Sequence, residues 1–150
     1  MKLISLIDNT AVDDKLFSEN GMSFFVEFGG KNYIIDTGLT GKAAENARRM
    51  QLPTDELDAV VLTHNHAAHV GGIDSFMRLS PDAEIYLRAG AQTERFRKTG
   101  FFKEPVGAGK AFFKKYADDL ILFNRFSEVA EGFYLSLIHI SEPTRHAQIS

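Results

Sequence analysis

The sequence contains no cysteine and no tryptophan, and none of its hydrophobic runs approaches the roughly 18 residues that a membrane-spanning helix needs. The absence of cysteine excludes disulfides and thiolate chemistry, so any metal ion must be held by His, Asp or Glu. An excess of basic charge is also missing, because 17 basic residues stand against 20 acidic ones. This balance disfavours binding to nucleic acids or to anionic membranes.

The first residues show no secretion signal. Residues 1–10, MKLISLIDNT, contain one lysine and then a short apolar stretch that ends at Asp8, which is too short for the core of a signal peptide. We therefore expect a cytoplasmic protein. The length of 150 residues, 44% of them hydrophobic, suits one globular domain.

The end of the chain differs from the rest. Residues 135–150 read LSLIHISEPTRHAQIS, and the stretch LSLIHISEPTR resembles the translation of a sequencing adapter. Residues 141–150 show neither helical nor strand periodicity, which also suits a polar tail. We expect a domain at 1–134 and a tail at 135–150 that is an artefact of sequencing. Without this tail three of the five histidines remain, and all three lie within residues 64–69.

The rest of the chain alternates between predicted strands and predicted helices. Strands are predicted at 2–7, 23–28, 31–36, 58–63, 84–87, 120–123 and from 132, and helices at 42–52, 73–79 and 111–117. The pair Gly29-Gly30 indicates a hairpin, whereas the stretch from Gly90 to Gly109 has no clear period and is predicted to be a loop or an insertion. This order predicts an α/β (α+β) fold, in which helices pack against a mixed sheet.

The residues that carry chemistry are concentrated in one segment, Thr63 to Gly72, which reads THNHAAHVGG. His64 and His66 are two residues apart at the end of a predicted strand, so both imidazoles are expected on the same side. His69 follows at the turn into a helix. Three neutral imidazoles with an open coordination position suit a catalytic zinc or iron ion. The alternative, three histidines with merely structural hydrogen bonds, is disfavoured by their close spacing.

This segment resembles the H-x-H-x-D-H signature of the metallo-β-lactamase fold, and Asp36-Thr37-Gly38 resembles the first motif of the same superfamily. Further segments narrow the resemblance to the branch named for a dihydropterin-ribofuranosylaminobenzene phosphate synthase. They are listed here in chain order: Asn9-Thr10-Ala11, Glu19-Asn20-Gly21, Gly107-x-Gly109 and Ala130-Glu131-Gly132. The resemblance implies that residues 1–134 are the N-terminal half of an αββα sandwich, truncated before its remaining metal ligands.

The resemblance also implies roles for individual residues. His64 and His66 would bind a first metal ion, and His69 would bind a second. Asp36 would orient the metal loop through hydrogen bonds without binding the metal itself, although Asp-Thr-Gly is also ordinary turn chemistry. Zinc is the expected metal, as one or two ions, with iron or manganese as alternatives.

One position departs from the signature, because Ala68 occupies the place of its aspartate. A methyl group cannot bind a metal, and Asn65 is expected to point away from the histidines. Three explanations follow: a site with a single metal ion, a degenerate copy of the fold without catalysis, or an error in the sequence. No catalytic residue is therefore assigned. We favour a metal-binding lineage with impaired or mononuclear chemistry.

The implied activity is metal-dependent hydrolysis by an activated water. The branch suggests a phosphorylated, pterin-like small molecule as substrate, whereas the fold alone does not identify one. Basic residues in the irregular segment either line an entrance for an anionic substrate or form a solvated face: Arg95, Arg97, Lys98, Lys103 and Lys110. The alternative to an enzyme is a ligand-binding or regulatory module on a decayed hydrolase fold. No nucleic-acid or membrane partner is expected, and half a sandwich is expected to aggregate.

Overall fold

The structure of the protein is a computed structural model that describes residues 1–11, 13–92, 96–99, 102–124 and 126–135, with the backbone alone for 96–99 and 102–105. The strands in this part of the chain are β1 Lys2–Ile7, β2 Ser23–Phe28, β3 Lys31–Ile35, β4 Ala59–Leu62, β5 Glu84–Arg88, β6 Phe96–Thr99, β7 Phe102–Pro105, β8 Leu120–Phe123, β9 Ser127–Ala130 and β10 Phe133–Leu135. The helices are α1 Lys42–Arg49, α2 Ala67–Val70, α3 Ile73–Leu79 and α4 Lys110–Lys115.

Six of the strands form one mixed sheet in the order β1-β2-β3-β4-β5-β8. The pairs β1–β2 and β2–β3 are antiparallel, whereas β3–β4, β4–β5 and β5–β8 are parallel. Gly29 and Gly30 close the β2–β3 hairpin, and both have positive φ angles of 60° and 76°, which glycine adopts without a steric penalty. The predicted mixed α/β architecture is confirmed.

The helices lie on one face of this sheet. The small face of α1, with Ala43, Ala44 and Ala47, and the apolar face of α3 belong to the same buried cluster as alternate side chains of the strands. Those strand residues include Phe25, Ile34, Val60, Ile85 and Leu87. Because side chains alternate across a strand, the neighbouring residues point to the opposite face.

The opposite face is partly covered by the β9–β10 hairpin. Val26, Tyr33 and Ala59 are buried there against Val129, Ala130 and Phe133, and the rings of Tyr33 and Phe133 lie 4.8 Å apart. Large apolar side chains stay exposed at the outer strands, with Leu3 of β1 at 59% and Leu122 of β8 at 43%. Exposed apolar edges of this kind favour self-association.

The ends of several elements differ from the predicted ones for local reasons. Strand β3 stops before Asp36, which has a φ of 55° and therefore leaves the extended conformation. Helix α1 was predicted to reach residue 52, but it ends at Arg49, because Gln51 also adopts a positive φ of 55°. Strand β4 ends at Leu62, since the Thr63 amide donates to the Asp36 side chain.

The prediction of a loop or insertion without regular structure from Gly90 to Gly109 was wrong in part. Strands β6 and β7 pair there as an antiparallel hairpin, with Phe96 opposite Pro105 and Thr99 opposite Phe102. The short strands carry mixed polar and aromatic residues without alternation, so their pattern gave no strand signal. Strand β9 was also not predicted, and it pairs with β10.

Two predictions fall partly outside the described residues. The tail at 136–150 is not described, and neither is Arg95. Among the helices of the described residues, none is long and apolar enough to cross a membrane.

Candidate metal centre

The candidate site lies at the carboxyl ends of two neighbouring parallel strands. Strand β3 ends before Asp36 and β4 ends before Thr63, and the two strands pair with Ile35 opposite Val61. The Asp36 amide donates to the Val61 carbonyl at 2.8 Å, so the two loops leave the sheet side by side. Open α/β sheets bind their ligands at this edge, because the loops that follow parallel strands converge there.

Asp36 connects these two loops through its side chain, which is 1% exposed. Its Oδ1 accepts a hydrogen bond from the Thr63 amide at 2.8 Å, and its Oδ2 accepts one from the Thr63 hydroxyl at 2.7 Å. The same Oδ2 lies 2.7 Å from Nδ1 of His69. A buried carboxylate needs such partners, because an unpaired charge is costly in a protein interior. Asp36 therefore holds both ends of residues 63–69, which we call the histidine segment.

These contacts determine where the imidazole protons lie. A carboxylate only accepts, so Nδ1 of His69 carries a hydrogen and donates it to Asp36. The Thr63 hydroxyl gives its single hydrogen to Asp36, so at its 2.9 Å contact with Nδ1 of His64 it must accept. Both rings thus carry a hydrogen on Nδ1, which in a neutral imidazole leaves the lone pair on Nε2. This is the tautomer in which imidazole binds a metal through Nε2.

The structure brings the three predicted histidines together. The ring centroids of His64 and His66 lie 4.6 Å apart, and those of His64 and His69 lie 4.1 Å apart. The donor chemistry suits a divalent metal. The geometry does not complete a site by itself, because among the described residues no group of three His, Asp or Glu side chains is arranged to hold a metal ion. The three imidazoles are thus close together, but among the described residues they do not make up a complete metal site.

The loop after β3 packs closely under the histidine segment. Thr37 donates to the His69 carbonyl from its amide at 2.7 Å and from its hydroxyl at 2.9 Å. A Cβ atom on Gly72 would lie 2.1 Å from the Thr37 carbonyl oxygen, and one on Gly71 would lie 2.1 Å from the Leu39 carbonyl oxygen. Only glycine allows this approach, which explains the Gly-Gly pair that follows the histidines.

Glu19 supports the same loop from the other side, a role that the sequence analysis did not assign. One carboxylate oxygen accepts from the amides of Leu39 and Thr40 at 2.9 and 3.0 Å, and the other accepts from the Thr40 hydroxyl at 2.6 Å. The motif Glu19-Asn20-Gly21 contained this residue, but nothing local in the sequence indicates a contact 20 residues away.

Ala68 lies in the first turn of α2, and its carbonyl accepts a hydrogen bond from the Met22 amide at 3.3 Å. Its methyl group adds no metal ligand. Asn65 points away from the histidines, as expected, because its amide group bonds to the backbone of Ala91 and Ala108. Neither residue contributes to a ligand set in the described part of the chain.

A cavity of about 390 Å³ lies at the opposite, amino ends of the parallel strands. Its lining includes three acidic residues and one lysine, namely Asp58, Asp82, Glu84 and Lys31, beside apolar side chains, and no histidine of the described residues lines it. Nearby, burial first and then a hydrogen bond to Glu84 raise the pKa of Tyr86 to about 12. This cavity lacks the imidazole donors that make the other end of the sheet the candidate site.

Comparison with known proteins identifies the family. The model of the Metallo-beta-lactamase superfamily matches residues 18–147, which includes part of the segment predicted to be a tail. The chain is 32% identical over 60 residues to the exodeoxyribonuclease WalJ of Streptococcus pneumoniae, an alignment that covers 39% of this chain and 22% of that protein. It is 31% identical over 87 residues to a metal-dependent hydrolase of Flavobacterium johnsoniae, covering 58% of this chain and 37% of that one.

The fold is also shared with solved structures. The crystal structure of a metal-dependent hydrolase of the beta-lactamase superfamily superimposes with a TM-score of 0.66 and 21% identity, covering 88% of this chain and 46% of that one. The chain thus spans less than half the length of each of these relatives. The superfamily match extends over most of the sequence, and the chain therefore belongs to the metallo-beta-lactamase superfamily.

Proposed function

We propose that this chain is part of a metal-dependent hydrolase that acts on a small molecule, with zinc as the metal and His64, His66 and His69 as ligands. The observation that carries the proposal is the chain of hydrogen bonds from His64 through Thr63 to Asp36 and from His69 to Asp36. A carboxylate that fixes the tautomer of an imidazole is a recurrent partner of metal-binding histidines.

The metal, when bound, would supply a water that ionises near neutral pH and would polarise the bond under attack. The residues of this chain do the positioning. Asp36 keeps a hydrogen on Nδ1 of His69, so that Nε2 of the neutral ring would have the lone pair that binds the metal. Thr63 does the same for His64. The remaining ligands are not among the described residues, and we propose that other parts of the whole protein supply them.

The substrate is proposed by chemical class alone. The branch resemblance favours a phosphorylated, pterin-like compound. The net charge of −3 disfavours a nucleic acid, although one relative is named an exodeoxyribonuclease. A panel that contains a phosphorylated pterin, a phosphodiester, a thioester and single-stranded DNA separates these classes. Cleavage of the DNA alone would contradict the small-molecule proposal.

Ala68 favours a second candidate, a ligand-binding or regulatory module that has lost catalysis. In this alternative the chain binds a substrate-like ligand without turning it over. The three histidines argue against it, because a site without chemistry does not need them.

Metal binding tests the main proposal. The chain is equilibrated with Zn²⁺, Mn²⁺ or Fe²⁺, and the bound metal is measured by mass spectrometry after removal of the free ion. We expect bound zinc in the unchanged chain and its loss in the double variant His64→Ala and His66→Ala. The matched control replaces His139 and His146 by alanine, which removes two histidines that lie outside residues 64–69 in the sequence. Equal zinc content in all three proteins would contradict the proposal.

A further inference from the structure

Asn65 lies between two of the proposed ligands and makes an unusual set of contacts with its side chain. Its Nδ2 donates to the carbonyls of Ala91 and Ala108 at 3.0 and 3.1 Å, and its Oδ1 accepts from the Ala108 amide at 2.7 Å. The residue is 8% exposed. One buried amide thus satisfies three backbone groups that are 26 and 43 residues away along the chain.

These partners lie on either side of the β6–β7 hairpin. Ala91 precedes β6, and Ala108 follows β7. A fourth bond strengthens the same junction, because the Ala67 amide donates to the Val106 carbonyl at 2.9 Å. The two segments from which the hairpin extends are therefore attached to the histidine segment.

Gly107 shows how closely these segments approach each other. A Cβ atom at this position would lie 2.0 Å from the Asn65 carbonyl oxygen and 2.7 Å from its Oδ1. Separations under 3.0 Å essentially never occur for real Cβ atoms, so a side chain at this position would push the segments apart. The requirement for glycine explains the first glycine of Gly107-x-Gly109, a motif to which the proposed chemistry assigns no role.

The helix that follows the histidine segment and the helix that follows Gly107-x-Gly109 also contact each other. Asp74 of α3 accepts a hydrogen bond from Lys115 Nζ at 2.8 Å and another from the Tyr116 hydroxyl. Helix α3 follows the histidine segment, and α4 follows Gly107-x-Gly109. The bonds of Asp74 thus add a second contact between the chain that follows the histidine segment and the chain that follows β7.

From this arrangement we infer that Asn65 is a positioning residue that couples the histidine segment to the β6–β7 hairpin. This inference rests on the proposed function, since the histidines that Asn65 positions are the proposed metal ligands. Loss of the Asn65 side chain frees the backbone between His64 and His66 and releases the hairpin at the same time. The two effects therefore appear together in one variant.

The experiment compares Asn65→Ala with a matched control, Asn46→Ala, in the full chain. Asn46 of α1 makes the same three kinds of bond, donating to the carbonyls of Leu6 and Phe17 at 2.7 and 2.9 Å and accepting from the Phe17 amide at 2.9 Å. It contacts neither the histidine segment nor the hairpin through these bonds. Zinc affinity is measured by calorimetry, and hydrogen exchange of 96–109 is measured by mass spectrometry without metal.

We expect Asn65→Ala to weaken zinc binding about tenfold, the lower end of what is typical for residues that orient metal ligands, and to speed exchange of 96–109. Asn46→Ala is expected to change neither quantity, even if it lowers stability as much. Gly107→Ala, which separates the same segments while Asn65 stays in place, is expected to match Asn65→Ala and provides a second variant if Asn65→Ala does not fold.

Different results overturn the inference and the proposed function. Unchanged exchange of 96–109 in Asn65→Ala and Gly107→Ala would overturn the inference, and so would equal zinc affinity in Asn65→Ala and the unchanged chain. Absence of zinc binding in the unchanged chain would instead remove the proposed function, and the exchange rates alone would then decide whether Asn65 holds the hairpin.

Discussion

The carboxylate of Asp36 lies 2.7 Å from Nδ1 of His69, across 33 residues of sequence. This contact joins the loop after β3 to the segment after β4 at the edge of the sheet where the three histidines meet. It also fixes the orientation of the imidazole ring before any metal binds. This orientation favours metal binding, because an imidazole that rotates freely is a poorer ligand than one that is already oriented.

Replacement of Asp36 by asparagine tests this role. Asparagine tolerates the left-handed backbone found at this position, so the change acts on the side-chain bonds alone. Its amide group cannot accept from Thr63 and His69 as the carboxylate does, and we expect zinc affinity to fall about 10- to 100-fold. Asp58→Asn is the control, since Asp58 accepts from the Asn32 amide at the other end of the sheet. Equal zinc affinity in the two variants, measured by calorimetry, would count against the role of Asp36.

Gly72→Ala is expected to destabilise the fold around the site. The added methyl group would lie 2.1 Å from the Thr37 carbonyl oxygen and 2.3 Å from that of Thr40, so the loops must separate. We expect a loss of about 1–3 kcal/mol in the free energy of unfolding, as for other overpacked positions. The measurement is urea unfolding followed by circular dichroism.

The control for that variant is Gly29→Asn. Gly29 has a φ of 60° with open space around its Cβ position, and asparagine followed by glycine is favoured in a two-residue hairpin turn. Its stability is expected to equal or exceed that of the unchanged chain. A Gly72→Ala protein as stable as Gly29→Asn would show that the close approach has no energetic importance.

Asp74 gives a prediction about pH. The hydrogen bonds from Lys115 first and from Tyr116 second lower the pKa of Asp74 in the folded chain. Its stabilising contribution is therefore complete above the unfolded pKa of about 3.9 and is lost as the pH falls below that value. Since the Asp74 side chain is 51% exposed, we expect Asp74→Asn to cost only about 1 kcal/mol near neutral pH.

The measurement for Asp74 is the difference in unfolding free energy between the two proteins as a function of pH. This difference is expected to be constant from about pH 7 to 5 and to shrink below about pH 4. A difference that grows towards low pH would contradict the assignment.

Ala68→Asp tests whether the departure from the superfamily signature limits metal binding. A carboxylate at this position would add an oxygen donor to the histidine segment, and we expect the zinc content per chain to rise. The measurement is metal analysis of Ala68→Asp and of the unchanged chain. Ala67→Asp is the control, because it adds the same charge one residue earlier. An equal rise in both variants would indicate nonspecific binding to carboxylates.

Much of the fold was predictable because its elements carry strong local patterns. Strands β1 and β2 and helix α3 were predicted with their observed ends. The two strands are short apolar-rich runs, the apolar residues of α3 recur at helical spacing, and polar or glycine residues flank all three. The Gly29-Gly30 turn likewise has a local cause. Strand β6 was not predicted, because its residues show no apolar alternation. Its pairing with β7 defines it as a strand.

The site was predictable only in part. The cluster of His64, His66 and His69 is visible because the residues are close in sequence. The superfamily resemblance implied that Asp36 orients the metal loop through hydrogen bonds, but it did not identify His69 as the partner. The bonds of Glu19 to the Thr40 loop and of Asn65 to Ala108 are long-range, and a single side chain with several backbone partners leaves no periodic signal. Contacts of this kind depend on the tertiary fold, so the sequence alone does not indicate them.

X-ray absorption at the zinc edge identifies the atoms that bind the metal, and therefore shows whether the three histidines are its ligands. The full chain is loaded with one equivalent of zinc, and its coordination shell is compared with that of the His64→Ala, His66→Ala and His69→Ala variant. We expect histidine nitrogen ligands at about 2.0–2.1 Å and the loss of their imidazole scattering in the variant. A shell of oxygen ligands alone, or a spectrum unchanged by removal of the three histidines, would contradict the binding of zinc by these residues.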